Sequence, residues 1–226
     1  MSRAEKSARS ISMDIRQYDA VVAPILASSM GSVTGVSRIV YSRRVARILI
    51  TGAAGSGTTT LGRALAAKLG CPHADTDTYY WVPTDPPYTT IRAPQERIAL
   101  LLPKLEAERG WVLSGSPIEW GAALELLYEL IVFLRLDHDL RMTRLRRREE
   151  ADYGRRIAPG GDMARINAEF LEWASSYDEA GPERRSLAQH ERWLATQRCP
   201  VLRLDSAAPV DALLSAVLAA IPEKQA

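Results

Sequence analysis

Nine residues constrain this chain more than any others: Gly52-Ala53-Ala54-Gly55-Ser56-Gly57-Thr58-Thr59-Thr60. An apolar run at 45–50 precedes them, short enough to be a buried strand. Leucines at 61, 65 and 69 follow, spaced for one face of a helix over 59–69 that Gly70 would stop. Strand, glycine-rich turn and helix in that order match the spacing G-x-x-x-x-G-[K]-[ST] in the context that gives it meaning. Glycines let the backbone fold tightly around an anion, and the free amides at the helix start converge on its oxygens. Gly52, Ala54, Gly55, Ser56, Gly57, Thr58, Thr59 and Thr60 are therefore the expected phosphate-binding residues, with the Thr59 hydroxyl at the place of a Mg²⁺ ligand. A glycine-rich turn without a ligand is the plainer alternative.

One position departs from that spacing. Where an ammonium group would reach the β- and γ-phosphates, the chain has Thr58. A lost charge-assisted hydrogen bond is worth about 1.5–3 kcal/mol, or roughly ten- to a hundredfold in affinity. Lys68 cannot substitute, because ten residues along a helix place it about 15 Å away. Any replacement cation must come from elsewhere in the fold.

Beyond the loop, short apolar runs alternate with helical stretches. Strands are expected at 45–50, 73–75, 111–114, 130–136 and 200–204. Helices are expected at 59–69, at 95–108 with Pro103 as an awkward interior residue, after Asp137 or Asp139, at 162–177 with Asp162 as cap, at 183–197 and at 210–221. Residues 81–90 hold three prolines and read as a loop. This alternation is the signature of an α/β domain with a mostly parallel sheet, here over 46–226. Residues 1–45 carry seven basic and three acidic residues with weak periodicity, and are expected to be a disordered or optional extension.

Asp75 and Asp77 follow the second strand, at the end of the sheet where α/β proteins bind ligands. One carboxylate could hold Mg²⁺ while the other orients an acceptor hydroxyl; helix capping and loop solvation explain the same pair. Seven arginines lie between Arg141 and Arg156, with Arg141, Arg144 and Arg148 on one helical face. A solvated face balanced by Glu149, Glu150 and Asp152 accounts for some of them.

The segment 52–69 followed by Ala74-Asp75-Thr76-Asp77 resembles the shikimate kinase and nucleoside monophosphate kinase group of P-loop kinases. The resemblance extends over most of 46–222. It implies a P-loop NTPase three-layer αβα sandwich with a five-stranded parallel sheet and a helical lid at about 141–162. It also implies ATP and Mg²⁺ as cofactors, with Thr59 and Asp75 on the metal and Asp77 on the acceptor. By the same resemblance Gly115, in Ser114-Gly115-Ser116, contacts substrate. Arg144 and Arg148, with Arg155 in reserve, close over the transferring phosphoryl group. Some cytidylate kinases are similar in having a Gly-Ser-Gly-Thr-Thr loop without lysine.

The function expected on these grounds is phosphoryl transfer from ATP to a small acceptor, a nucleoside monophosphate among the candidates. A nucleotide-binding regulatory or scaffold protein without turnover is the alternative that Thr58 suggests. A mechanical ATPase fits less well, since the third strand ends without an acid. A net charge of +2 provides no global field toward nucleic acid or membrane. Two cysteines, Cys71 and Cys199, form no disulfide framework, so a cytoplasmic setting is expected. His73, His138 and His190 are at no metal-ligand spacing and are expected to be structural or at the surface.

Overall fold

The computed structural model describes residues 46–222; the expected extension at 1–45 lies outside them. Five strands, β1 (Arg47–Gly52), β2 (His73–Asp75), β3 (Trp111–Ser114), β4 (Leu130–Arg135) and β5 (Val201–Asp205), form one sheet in the order β2-β3-β1-β4-β5. Every pairing is parallel. The strands therefore need crossover connections, and helices supply them. β1 lies in the middle, between β3 and β4, and all its residues after Arg47 are buried.

Alternation along the strands sends side chains to two separate cores. Ile48, Ile50, Val112, Val132 and Leu134 face α1 (Thr58–Leu69), which contributes Leu61 and Leu65, and the closing helix at Val210–Ala220, which contributes Leu213 and Val217. On the other face Leu49, Trp111, Leu113, Ile131 and Phe133 pack against helices at Pro94–Glu106, Ala122–Glu125 and Leu187–Leu194. The result is a three-layer αβα sandwich, with both faces of the five-stranded parallel sheet covered as parallel sheets require. A third cluster joins the arginine-rich helix at His138–Tyr153 to the next helix at Ala164–Ser175, through Met142, Leu145, Phe170 and Trp173.

In chain order the helices are α1, α2 (Thr76–Tyr80), α3 (Pro94–Glu106), α4 (Ala122–Glu125), α5 (His138–Tyr153), α6 (Ala164–Ser175), α7 (Leu187–Leu194) and α8 (Val210–Ala220). Asp137 caps α5, its side chain accepting from the amides of Asp139 and Leu140. Asp162 does not cap α6. Its carboxylate is held by the Arg156 guanidinium, with Nη2 to Oδ2 at 2.6 Å, and a charge-assisted bond outweighs a capping one. α6 begins two residues later, at Ala164, with Met163 in the cap position. Pro103 does not split α3, because it lies near the helix end and forfeits a single hydrogen bond there.

α7 is shorter than expected. It starts at Leu187 rather than 183, since Ser186 takes the cap position and accepts from the Gln189 amide. Residues 182–186 are thereby left as a turn, and Arg185 sits in it.

Candidate functional site

β1 ends under the glycine-rich loop, and α1 leaves it with no side chain capping its first turn. Gly57 is the residue at the cap, in the left-handed region at φ 90°, so its own geometry aims the first amides of α1 outward. Gly55 is also left-handed, at φ 85°, and a Cβ there would lie 2.7 Å from Leu145 Cγ and 3.1 Å from the Arg141 carbonyl oxygen. The loop thus passes against α5 with no room for a side chain. Position 55 is unspecified in the G-x-x-x-x-G spacing; the left-handed backbone and the packing against α5 each demand glycine there.

A cavity of about 420 Å³ opens over this loop. Of the residues expected at the site, Ala54, Gly55, Ser56, Gly57, Thr58, Thr59, Thr60, Asp75, Asp77, Gly115, Arg144 and Arg148 all line it. Gly52 does not; its carbonyl oxygen turns instead toward Arg185 Nη2, 3.4 Å away. Arg155 lies in an exposed turn after α5 and is not in the wall.

Two features of the wall are specific. Thr59 Oγ1 donates to Asp75 Oδ2 at 2.9 Å, joining the expected metal-side hydroxyl and carboxylate into one pair. Asp75 is buried and held from behind: Oδ1 accepts from the Asp77 amide at 3.0 Å, and Oδ2 also accepts from Ser114 Oγ at 3.3 Å. Ser114 Oγ in turn lies 3.0 Å from His73 Nε2. Asp77 faces the cavity two residues on. Burial, then the neighbouring Asp75 carboxylate, pushes its carboxyl well above the usual carboxylate range, against the pull of Arg185 and Arg148.

Among the described residues no group of three or more His, Cys, Asp or Glu could hold a metal. A dedicated protein cage is therefore absent there. Thr59 and Asp75 are instead two hard oxygen donors, the donor type Mg²⁺ takes when phosphates and water complete its shell.

The arginines divide into structural and cavity-facing groups. Arg141 is fully buried; it donates to the Ala174 carbonyl at 2.8 Å and to Asp178 at 2.9 Å, so it ties α5 to the end of α6. Arg144 reaches the Ser206 carbonyl at 3.0 Å, and Arg148 pairs with Glu149 at 3.0 Å beside the Phe170 ring. Both still line the cavity. Arg185 was not legible as a site residue. Its segment reads as helix interior, and only the early stop at the Ser186 cap turns it toward the loop. Ser206 and Ala208, from the connection of β5 to α8, and Val210 and Leu213, from the first turn of α8, complete the wall with mostly apolar side chains.

His190, expected to be structural or at the surface, is fully buried. Nδ1 lies 3.0 Å from the Ser186 carbonyl, which can only accept, so Nδ1 carries the proton. Nε2 then accepts, with Thr51 Oγ1 at 3.2 Å and Ser116 Oγ at 3.3 Å as donors. Burial drives its pKa down to about 3, and the Arg185 charge adds to this. The neutral ring joins the start of α7 to the end of β1.

No helix among the described residues is long and apolar enough to cross a membrane. Among solved structures, a shikimate kinase from Bacteroides thetaiotaomicron is 17% identical with a TM-score of 0.47, covering 77% of this chain and 97% of its own. A gluconokinase from Sinorhizobium meliloti is 18% identical with a TM-score of 0.43, covering 78% and 91%. YqaC, an uncharacterized protein of Bacillus subtilis, is 43% identical over 171 residues, which span 76% of this chain and 94% of YqaC. A family model described as an AAA domain matches residues 48–171, more than half of the chain. With that match over the loop, four of the five strands and the arginine-rich helix, the chain belongs to the AAA domain family.

Proposed function

We propose that this chain is an ATP-dependent kinase that transfers the γ-phosphoryl group to a hydroxyl of a small acceptor, in a cytoplasmic setting. The pairing of Thr59 Oγ1 with Asp75 Oδ2 across the mouth of the loop carries the reading. The bond from the Asp77 amide caps α2, but the other two donors, Thr59 at the start of α1 and Ser114 at the end of β3, are more than a helix cap requires.

In this reading the amides of 55–60 hold the β- and γ-phosphates at the positive end of α1. Thr59 and Asp75 would hold Mg²⁺, which when bound offsets charge on the phosphate oxygens. Asp77 lies across the cavity and is kept hard to ionise by burial and by Asp75. Arg185 and Arg148 favour its ionised form, and that carboxylate, made more basic by burial, accepts a hydrogen bond from the acceptor hydroxyl and takes its proton as the oxygen bonds to the γ-phosphorus and the bond to the ADP oxygen breaks. Arg144 and Arg148, already in the wall, meet the charge that spreads over the moving phosphoryl group. The apolar end at Ala208, Val210 and Leu213 suits the nucleoside. Gly115, on the Asp77 side, offers the acceptor a close backbone approach.

The test is consumption of ATP with Mg²⁺ across a panel of nucleoside monophosphates, hydroxy acids and sugars. Turnover with at least one acceptor, reduced roughly a hundredfold or more by Asp77→Ala, is the expected result. Tight MgATP binding without turnover on any acceptor, unchanged by Asp77→Ala, would favour the regulatory reading that Thr58 suggests.

A further inference from the structure

Thr58 leaves the loop one positive charge short of its standard pattern. A guanidinium stands at the same cavity. Arg185 lines it together with Thr58, Thr59 and Asp77, and its Nη2 lies 3.4 Å from the carbonyl oxygen of Gly52, the residue from which the loop departs. Its charge also couples to Asp77 and Asp75, so it spans the gap between the loop and the carboxylate of the acceptor side.

The side chain is held before any ligand arrives. The Trp173 ring of α6 lies 5.6 Å from the guanidinium carbon. The next residue, Ser186, fixes the backbone: its hydroxyl donates to the Gly181 carbonyl at 2.8 Å, and its own carbonyl meets His190 Nδ1. His190 Nε2 reaches Thr51 in β1 at 3.2 Å, so the turn carrying Arg185 is tied to the strand that carries the loop. Nε of Arg185 is buried and has no hydrogen-bond partner among the described residues. A buried donor on a cation is costly to leave unmade, and an anion in the cavity would satisfy it.

We propose that Arg185 is the phosphate-binding cation of this loop, performing from the turn before α7 what an ammonium at position 58 performs in the standard pattern. This rests on the kinase reading above. The consequence is a loop whose charge comes from 127 residues further along the chain and a different layer of the sandwich.

The experiment is titration calorimetry of the full chain with MgATP and MgADP, on the native protein, Arg185→Met, Thr58→Lys and the double variant. Arg185→Met should weaken MgATP about ten- to a hundredfold, as a lost charge-assisted bond does. Thr58→Lys in that background should restore most of the loss, a rescue that a purely structural arginine would not give. Thr58→Lys alone should gain less than about threefold, because the charge is already supplied. Arg185→Met binding MgATP like the native chain, or folding normally without rescue by Thr58→Lys, would overturn the assignment. If Arg185→Met does not fold, Thr58→Lys in the native chain still decides: a gain of about tenfold or more overturns it, a small gain supports it. A native chain that binds no MgATP overturns both this and the kinase reading, whereas native binding with an indifferent Arg185→Met overturns this alone.

Discussion

Asp75 and His190 show how far single residues could be read in advance. For Asp75 the sequence left two readings open, metal ligand and helix cap; in the structure its carboxylate caps α2 through the Asp77 amide and also accepts from Thr59. We expect Asp75→Asn to raise the Mg²⁺ concentration needed for half-maximal ATP consumption by about tenfold or more, since a ligand charge is lost. His190 is structural, one of the two places expected of it, but its partners were not legible, because a lone histidine in a helix carries no sequence signal for groups that come from β1 and from the turn after α6. Its folded pKa of about 3 lies below the unfolded value. Between those values the unfolded chain binds the extra proton, so stability falls as pH drops from about 6.5 toward 3, with a slope of up to about 1.4 kcal/mol per pH unit from this group. Urea unfolding at several pH values should show a shallower acid limb for His190→Asn than for the native chain, whatever its stability at neutral pH.

At the scale of elements, the five strands and the loop were legible to within two residues, since buried parallel strands read as short apolar runs. The exceptions were boundaries set by particular side-chain hydrogen bonds that no periodicity announces. α6 starts late because Arg156 takes Asp162, and α7 starts late because Ser186 caps it. α2 was unforeseen: five residues are too few for a periodic pattern, and its start is fixed by the Asp75 carboxylate accepting the Asp77 amide. The contact of the loop with α5 gives a differential test. Gly55→Ala combines a left-handed backbone with a Cβ pressed against Leu145, and we expect a loss of about 2–4 kcal/mol. Gly57→Ala meets nothing within 4 Å, so only the backbone term of about 1–2 kcal/mol applies. Denaturant unfolding of both variants measures the difference.

Across the whole molecule, the region after α5 is pinned over the proline-rich loop. Arg156 Nη2 bonds Asp85 and Asp162, each at 2.6 Å, and Tyr153 bonds Tyr88, whose hydroxyl burial and Tyr153 together push above the usual range for tyrosine. The Arg156 pairs are exposed and would be screened by salt. Asp85→Ala should therefore leave the thermal midpoint nearly unchanged while hydrogen exchange rises across 154–162. No sequence pattern announced this contact, since its partners lie 71 residues apart and neither sits in a motif.

The position of β1 in the sheet also governs how the chain is made. Of the five strands of this sheet the central one is made first, and its two neighbours, β3 and β4, follow about 60 and 80 residues afterwards. A nascent chain stopped before β4 would carry the complete glycine-rich loop on a strand with one side unpaired. The core under that loop would also lack Val132, Leu134, Leu213 and Val217, so the nucleotide-binding end of the sheet is completed only when the last helix has been made.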